Sequence, residues 1–203
     1  MCGRYSLATA DAGRLRARFP LGESVEIRQR FNVAPGDDVL AVTTSREGEP
    51  RGDVLRWGLV PHWAADATTG YKMINARAET VAERPAYRDA FARRRCLLVA
   101  DGFYEWERRE GLAKQPWWVT QADGKPFAFA GLWAIWHGPD ETVLRTCSIV
   151  TTHANGSLRE LCQIFTEERA DYRGVKAGVR PVVHNPAEDF AAVVDVLMYR
   201  MKM

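Results

Sequence analysis

Short β-prone runs dominate this chain, broken by turn residues and by a few segments with helical patterning. The stretch RFNVAPGDDVLAVTTS reads as strand, turn, strand, with Pro35 and Gly36 as the break. DVLRWGLVPHWA reads as a short strand that runs into a Pro-interrupted loop. CLLVADGFYEWE is apolar, then turn-like, then aromatic, and VLRTCSIVTT is a further strand. WWVTQADGKPFAFAGLWAIW carries two β-prone runs on either side of Asp123–Gly124, a pair favoured in tight turns, and predicts a hairpin. Helices are predicted for DAGRLRARF, with a basic face, and for TVAERPAYRDAFARRR, where Thr80 and Glu83 have capping-box spacing and Pro85 restarts the helix. SLRELCQIF, with Ser157 and Glu160 at the same spacing, and the amphipathic AEDFAAVVDVLMYRM complete the set. Many strands with a few interspersed helices predict an α+β fold: one domain over residues 1–203, with a curled, largely antiparallel β-sheet core and peripheral helices. No internal repeat or interdomain linker interrupts it.

The length, 203 residues, suits a single domain with a real core. The formal net charge is only +2, so any phosphate partner must be held by a local basic surface. No apolar run is long enough to span a bilayer, and the N-terminus lacks a secretory layout. Cys2, Cys96, Cys147 and Cys162 are widely spaced, with no CxxC pair and no histidine ladder. They predict neither a zinc site nor a disulfide framework, and they fit a reducing cytoplasm. The expected protein is a monomer without metal or cofactor. Cys96 and Cys147 lie in apolar, strand-like runs and read as buried thiols.

Three stretches can carry chemistry. In MCGRYSL, the small side chain of Cys2 allows an aminopeptidase to remove Met1. Cys2 would then carry a free α-amine beside its thiol, with reference pKa values of roughly 7.7–8.0 and 8.5. Such a pair condenses with an aldehyde to an imine and closes it to a five-membered thiazolidine, or attacks an amide. The competing reading is a small core residue in the first strand. In YKMINARAET, Asn75, Arg77 and Glu79 alternate with small residues and would share one strand face. Such a face can bind a phosphate or orient a nucleophile, or simply be solvated. In ADGFYEWE, Glu105 lies between Tyr104 and Trp106. A carboxyl among aromatics is desolvated and suits proton transfer, unless it points outward.

These stretches also carry a resemblance. MCGRY, RFNVAPGD, RWGLVPHWA, INARAET, RRCLLVADGFYEW, KQPWWV and FAFAGLWAIW, in that order from Cys2 to about Asn155, resemble the successive signatures of the SRAP (SOS-response-associated peptidase) family. Its members shield abasic sites in single-stranded DNA. The resemblance implies a covalent thiazolidine cross-link to the deoxyribose aldehyde, with Cys2 as nucleophile. It implies Asn75 as the residue that positions the cysteine or sugar, and Glu105 as the proton carrier. Arg4 and Arg77 would hold phosphates, and Trp63 with Pro35 would form a wedge against the flanking bases. The cationic and aromatic residue types agree with single-strand binding. Trp117, Trp118, Trp133 and Trp136 are expected in the core. The family name also implies a cysteine peptidase or amidase through Cys2 as an alternative, and a non-catalytic DNA-binding module is a third.

From about residue 156 the chain departs from the family pattern. Direct continuation places Cys162 where the family has a histidine, and Cys162 itself reads as core. Aligning VRPVVHNPAEDF instead places Val179 there, before Arg180. His153 and His184 are the two candidates for the role.

Overall fold

A computed structural model describes residues 2–9, 11–108, 110–121, 124–151 and 184–185. In chain order its elements are β1 (Tyr5–Leu7), α1 (Ala12–Arg18), β2 (Arg30–Val33), β3 (Asp38–Thr44), β4 (Pro50–Trp57), a 3-10 helix (Ala67–Lys72), β5 (Asn75–Arg77), α2 (Arg88–Arg93), β6 (Arg95–Ala100), β7 (Gly102–Glu107), β8 (Gln115–Gln121), β9 (Phe127–His137), β10 (Val143–Thr151) and β11 (His184–Asn185). One sheet has the order β11-β8-β7-β1-β2, and the other β4-β3-β6-β9-β10-β5.

The second sheet curls until its ends meet. β10 pairs with β9 along one edge, and along the other it pairs in parallel with β4, at Thr146↔Arg56 and Cys147↔Trp57. The same edge then continues in parallel onto β5, at Ile149↔Asn75. The curled, largely antiparallel α+β fold is therefore present, and parallel pairs close it. The main core lies between this curled sheet and the first one. It joins Tyr5, Leu55, Trp57, Leu98, Phe103, Phe129, Cys147 and Ile149. Cys96 and Cys147 are buried free thiols, as their apolar runs predict.

The helices lie outside. α1 begins at Asp11, whose carboxylate accepts from the Arg14 N–H at 3.0 Å, and it drives Leu15 into a cluster with Leu7, Leu21 and Val99. Ala90 and Phe91 of α2 pack with Leu132 and Val150. No helix among the described residues is long and apolar enough to cross a membrane.

Two predicted elements differ. β8 and β9 do not form a hairpin: β8 pairs with β7, whereas β9 pairs with β6 and β10 in the other sheet. Residues 127–132 of β9 are all buried, so β9 needs a neighbour on each edge. The turn at Gly124, φ 65°, instead carries the chain from one sheet to the other. The helix from Thr80 is also shorter than its pattern, covering only Arg88–Arg93. The Glu83 N–H is taken by the backbone carbonyl of Thr80 at 3.1 Å, which makes a turn rather than a side-chain cap. SLRELCQIF and AEDFAAVVDVLMYRM lie outside the described residues.

β1 is tied down at its far end. The buried Asp101 carboxylate accepts from Ser6 Oγ at 2.8 Å, from the Thr9 N–H at 2.7 Å and from Thr9 Oγ1 at 3.0 Å. Ser6 Oγ in turn accepts from Trp118 Nε1 at 2.9 Å. The indole lies over Gly102, where a Cβ would sit 2.1 Å from Nε1, so only glycine fits. Trp136 is buried, and Trp117 and Trp133 pack partly buried against the core as expected. Trp118 is a correction, since it is 39 % exposed with its N–H turned inward to Ser6.

Candidate functional site

Cys2 lies immediately before β1, and β1 is flanked by β2 and β7. This position brings two other elements to it. The Asn75 side-chain amide, at the start of β5 in the other sheet, donates to the Cys2 carbonyl at 2.8 Å. Its backbone carbonyl is itself held by the Tyr87 hydroxyl at 3.1 Å. The remaining oxygen of that amide, Asn75 Oδ1, is buried without a hydrogen-bond partner among the described residues. From the other side comes β7. Tyr5 pairs with Phe103, and the Tyr104 N–H donates to the Arg4 carbonyl at 2.9 Å, so the strand continues with Glu105 alongside residues 2–4.

The electrostatics follow from burial. Cys2 is 7 % exposed. Desolvation, reinforced by the negative charge of Glu105, pushes its thiol up to about 12, although the thiol donates to the Arg4 carbonyl at 3.7 Å. Glu105 is half-buried, and desolvation raises its carboxyl above the ordinary value. Burial thus shifts both groups toward their protonated forms, and the charge of Glu105 acts on the Cys2 thiol.

The other predicted site residues surround this centre. Arg4 Nη1 donates to Asn32 Oδ1 at 2.9 Å on the surface. Arg77 ends β5 exposed, two residues from Asn75 and on the same strand face. Glu79 is not on that face, because β5 ends at Arg77 and Glu79 lies in the following turn. Pro35 sits in a turn closed by Asp37 N–H to Ala34 carbonyl, 3.1 Å, and braced by the Arg30–Asp37 ion pair at 2.6 Å. β2 is antiparallel to β1, so the chain leaving Val33 for Pro35 runs back past the residues before Tyr5. Trp63 is 58 % exposed. Its loop is pinned by the buried Trp136, whose indole N–H donates to the Ala64 carbonyl at 2.8 Å. A large ring held outward by its own loop is suited to a partner.

His184 is paired in parallel with Thr120 of β8, and β7 lies between β8 and β1. Its backbone is therefore at the far edge of the sheet from Cys2. His153 and Cys162 lie outside the described residues. Sequence reasoning missed Tyr87, which read only as part of a helix, and Asn32, the partner of Arg4. It also missed Tyr71, an exposed ring against the Pro35–Gly36 turn. No local pattern marks any of the three, since each acquires its neighbour through folding.

A family model described as SOS response associated peptidase (SRAP) matches residues 1–164. The chain belongs to the SRAP family. The match covers Cys2, Asn75 and Glu105 together and runs past the point near Asn155 where the recognisable motifs end. Among SRAP relatives, the abasic site processing protein YoaM of Bacillus subtilis is 40 % identical over 166 residues, which is 79 % of this chain and 71 % of YoaM. The abasic site processing protein YedK of Escherichia coli is 36 % identical over 140 residues, 65 % of this chain and 59 % of YedK. A crystal structure of a protein from Bacteroides thetaiotaomicron superposes with a TM-score of 0.66 at 28 % identity, covering 76 % of this chain and 69 % of that one.

Proposed function

We propose that this SRAP protein captures the open-chain aldehyde of an abasic site in single-stranded DNA as a thiazolidine on Cys2, once Met1 has been removed. The observation that carries the reading is the hold on Cys2: its carbonyl is fixed by the Asn75 amide at 2.8 Å, with the Glu105 carboxyl within electrostatic reach of its thiol. The names of YoaM and YedK, abasic site processing proteins, support the substrate class.

The chemistry follows from the two raised proton affinities. The α-amine of Cys2 adds to the aldehyde carbon, forming a C–N bond and a carbinolamine. Glu105, whose carboxyl desolvation shifts toward the protonated form, donates a proton to the carbinolamine hydroxyl, which leaves as water and gives the iminium. Glu105 is then a carboxylate beside a thiol that burial keeps protonated. It takes the thiol proton as sulfur attacks the iminium carbon; the C–S bond forms, the C=N π pair returns to nitrogen as a secondary amine, and the ring closes. One water is released, and no redox partner is needed. The fixed Asn75–Cys2 contact keeps the amine and sulfur of one residue on the same carbon, an effect of positioning. Asn75 Oδ1, buried and unpaired among the described residues, offers an acceptor to the amine or to a sugar hydroxyl. Arg4, Arg77, Pro35 and Trp63 hold the strand, the arginines on phosphates and the rings on bases.

Amide cleavage asks for the opposite electrostatics. A cysteine peptidase attacks as a thiolate with a lowered pKa. Burial and Glu105 push the thiol of Cys2 the other way.

The test is incubation with a single-stranded oligonucleotide carrying one abasic site. A heat-stable adduct is expected whose mass equals protein lacking Met1, plus DNA, minus one water. Cys2→Ala should abolish it while retaining salt-sensitive binding. An equal adduct from Cys2→Ala, or from protein that keeps Met1, would refute the proposal. Binding without any adduct in the wild type would favour a DNA-binding module.

A further inference from the structure

A small cavity of about 170 Å3 lies between the end of β4, the 3-10 helix and the Pro35–Gly36 turn. Two of its lining residues, Gly58 and Gly70, lie against each other. A Cβ on Gly58 would lie 2.7 Å from the Gly70 carbonyl oxygen, and one on Gly70 would lie 2.5 Å from that of Gly58. The two segments therefore meet backbone to backbone, and a side chain at either glycine would force the main chain to move. Tyr71 forms the lip. It is 62 % exposed, and its ring lies against Gly36, where a Cβ would be 3.0 Å from Cε1. Arg56 also lines the cavity. It is exposed, and its Nε donates to the Gly36 carbonyl at 3.2 Å, leaving its terminal nitrogens free of partners among the described residues.

We propose that this cavity is a subsite for one unpaired nucleobase flanking the captured sugar, stacked on Tyr71, with the adjoining phosphate on Arg56. The inference rests on the abasic-site reading and adds to it a recognition element for the neighbouring nucleotide. Three features point to this occupant. The cavity is below the ~300–1,000 Å3 range of drug-sized ligands, which suits a single ring system. An exposed aromatic beside a cation is the pairing that holds single strands, with stacking for the base and charge for the phosphate. The cavity also borders the Pro35–Gly36 turn, since Gly36 lines it. Tyr71 is four residues from Asn75, a chain length of at most about 14 Å, and it touches the turn that carries Pro35.

The experiment compares single-stranded oligonucleotides in which the nucleotide beside the abasic site, on either the 5′ or the 3′ side, keeps its base or is replaced by a tetrahydrofuran spacer. Capture is followed at subsaturating protein for the wild type, Tyr71→Ala and Tyr71→Phe. Anisotropy with the same strands on a Cys2→Ala background reads the subsite without the cross-link. Removing the base on one side should weaken the wild type by about 5- to 150-fold. Tyr71→Ala should bind the base-bearing strand as weakly as the wild type binds the spacer strand, and should be indifferent to the base. Tyr71→Phe should match the wild type. An equal loss on both strands in Tyr71→Ala would make the ring a support for the Pro35 turn and overturn the subsite. Wild-type indifference to the base on both sides would also overturn it. A base effect without any adduct would instead refute the cross-linking reading and leave the subsite standing.

Discussion

Raising the pH from 8 to 10 should destabilise this protein through a single buried thiol. Burial and Glu105 push Cys2 from 9.0 to about 12 in the folded state. As pH rises past 9 the unfolded chain gives up its thiol proton while the folded chain keeps its own. The folded state then binds more protons, and stability falls with pH until the folded thiol also ionises. At pH 8 the effect is negligible. At pH 10 the unfolded thiol is ionised roughly tenfold over its neutral form, which costs the folded state about 1 kcal/mol. Cys96, Cys147 and Tyr5 are also raised, so the total fall is steeper. Comparison with Cys2→Ala isolates the one group. Urea unfolding of both proteins at pH 8 and pH 10 gives two stability differences. Cys2→Ala should gain about 1 kcal/mol on the wild type between them, whatever the fixed effect of removing the sulfur. A difference that does not change with pH would refute both the desolvation of Cys2 and the need for a base at ring closure.

Glu105→Gln should separate stability from chemistry. A carboxyl raised by desolvation loses stability as pH climbs through its raised value, so the amide should be at least as stable at neutral pH. Its single-turnover capture should nevertheless slow by about 10²–10⁴-fold, and His184→Ala should leave capture unchanged because its backbone lies on the far edge strand. Unimpaired capture by Glu105→Gln would remove it from the proton transfers. Arg77→Ala should weaken single-strand binding and reduce the salt slope by about one, read by anisotropy at several salt concentrations; an unchanged slope would make Arg77 structural. Trp63→Ala should cost about 1–3 kcal/mol of binding, and full affinity would take the ring out of the interface.

The chain alone determined which residues carry reactive groups and where most strands run. Cys2 in second position, Asn75 and Arg77 on one short strand, and Glu105 among aromatics are local facts. The runs at 38–44, 95–100 and 143–151 hold the strands their patterns predict. What local pattern reports is how a segment divides its faces between water and core. It does not report the partner. β8 and β9 look like a hairpin because Asp123–Gly124 is a good turn, yet β9 is buried along 127–132 and takes β6 and β10 as its neighbours. The segment at Thr80 carries a helix-start spacing, but its backbone bonds are spent in a turn before α2. The site obeys the same division. Cys2 and Asn75 are 73 residues apart and meet only because closure of the curled sheet sets β5 on β10, beside the residues that precede β1. The high proton affinity of the Cys2 thiol depends on desolvation by residues from several elements, so no stretch of the chain contains it. Tyr71, Gly58 and Gly70 carry no local signal and line one cavity only because folding sets the end of β4 against the 3-10 helix. Reactive groups are local properties of a chain, whereas burial, proximity and shape are set by pairings that only the assembled sheets establish.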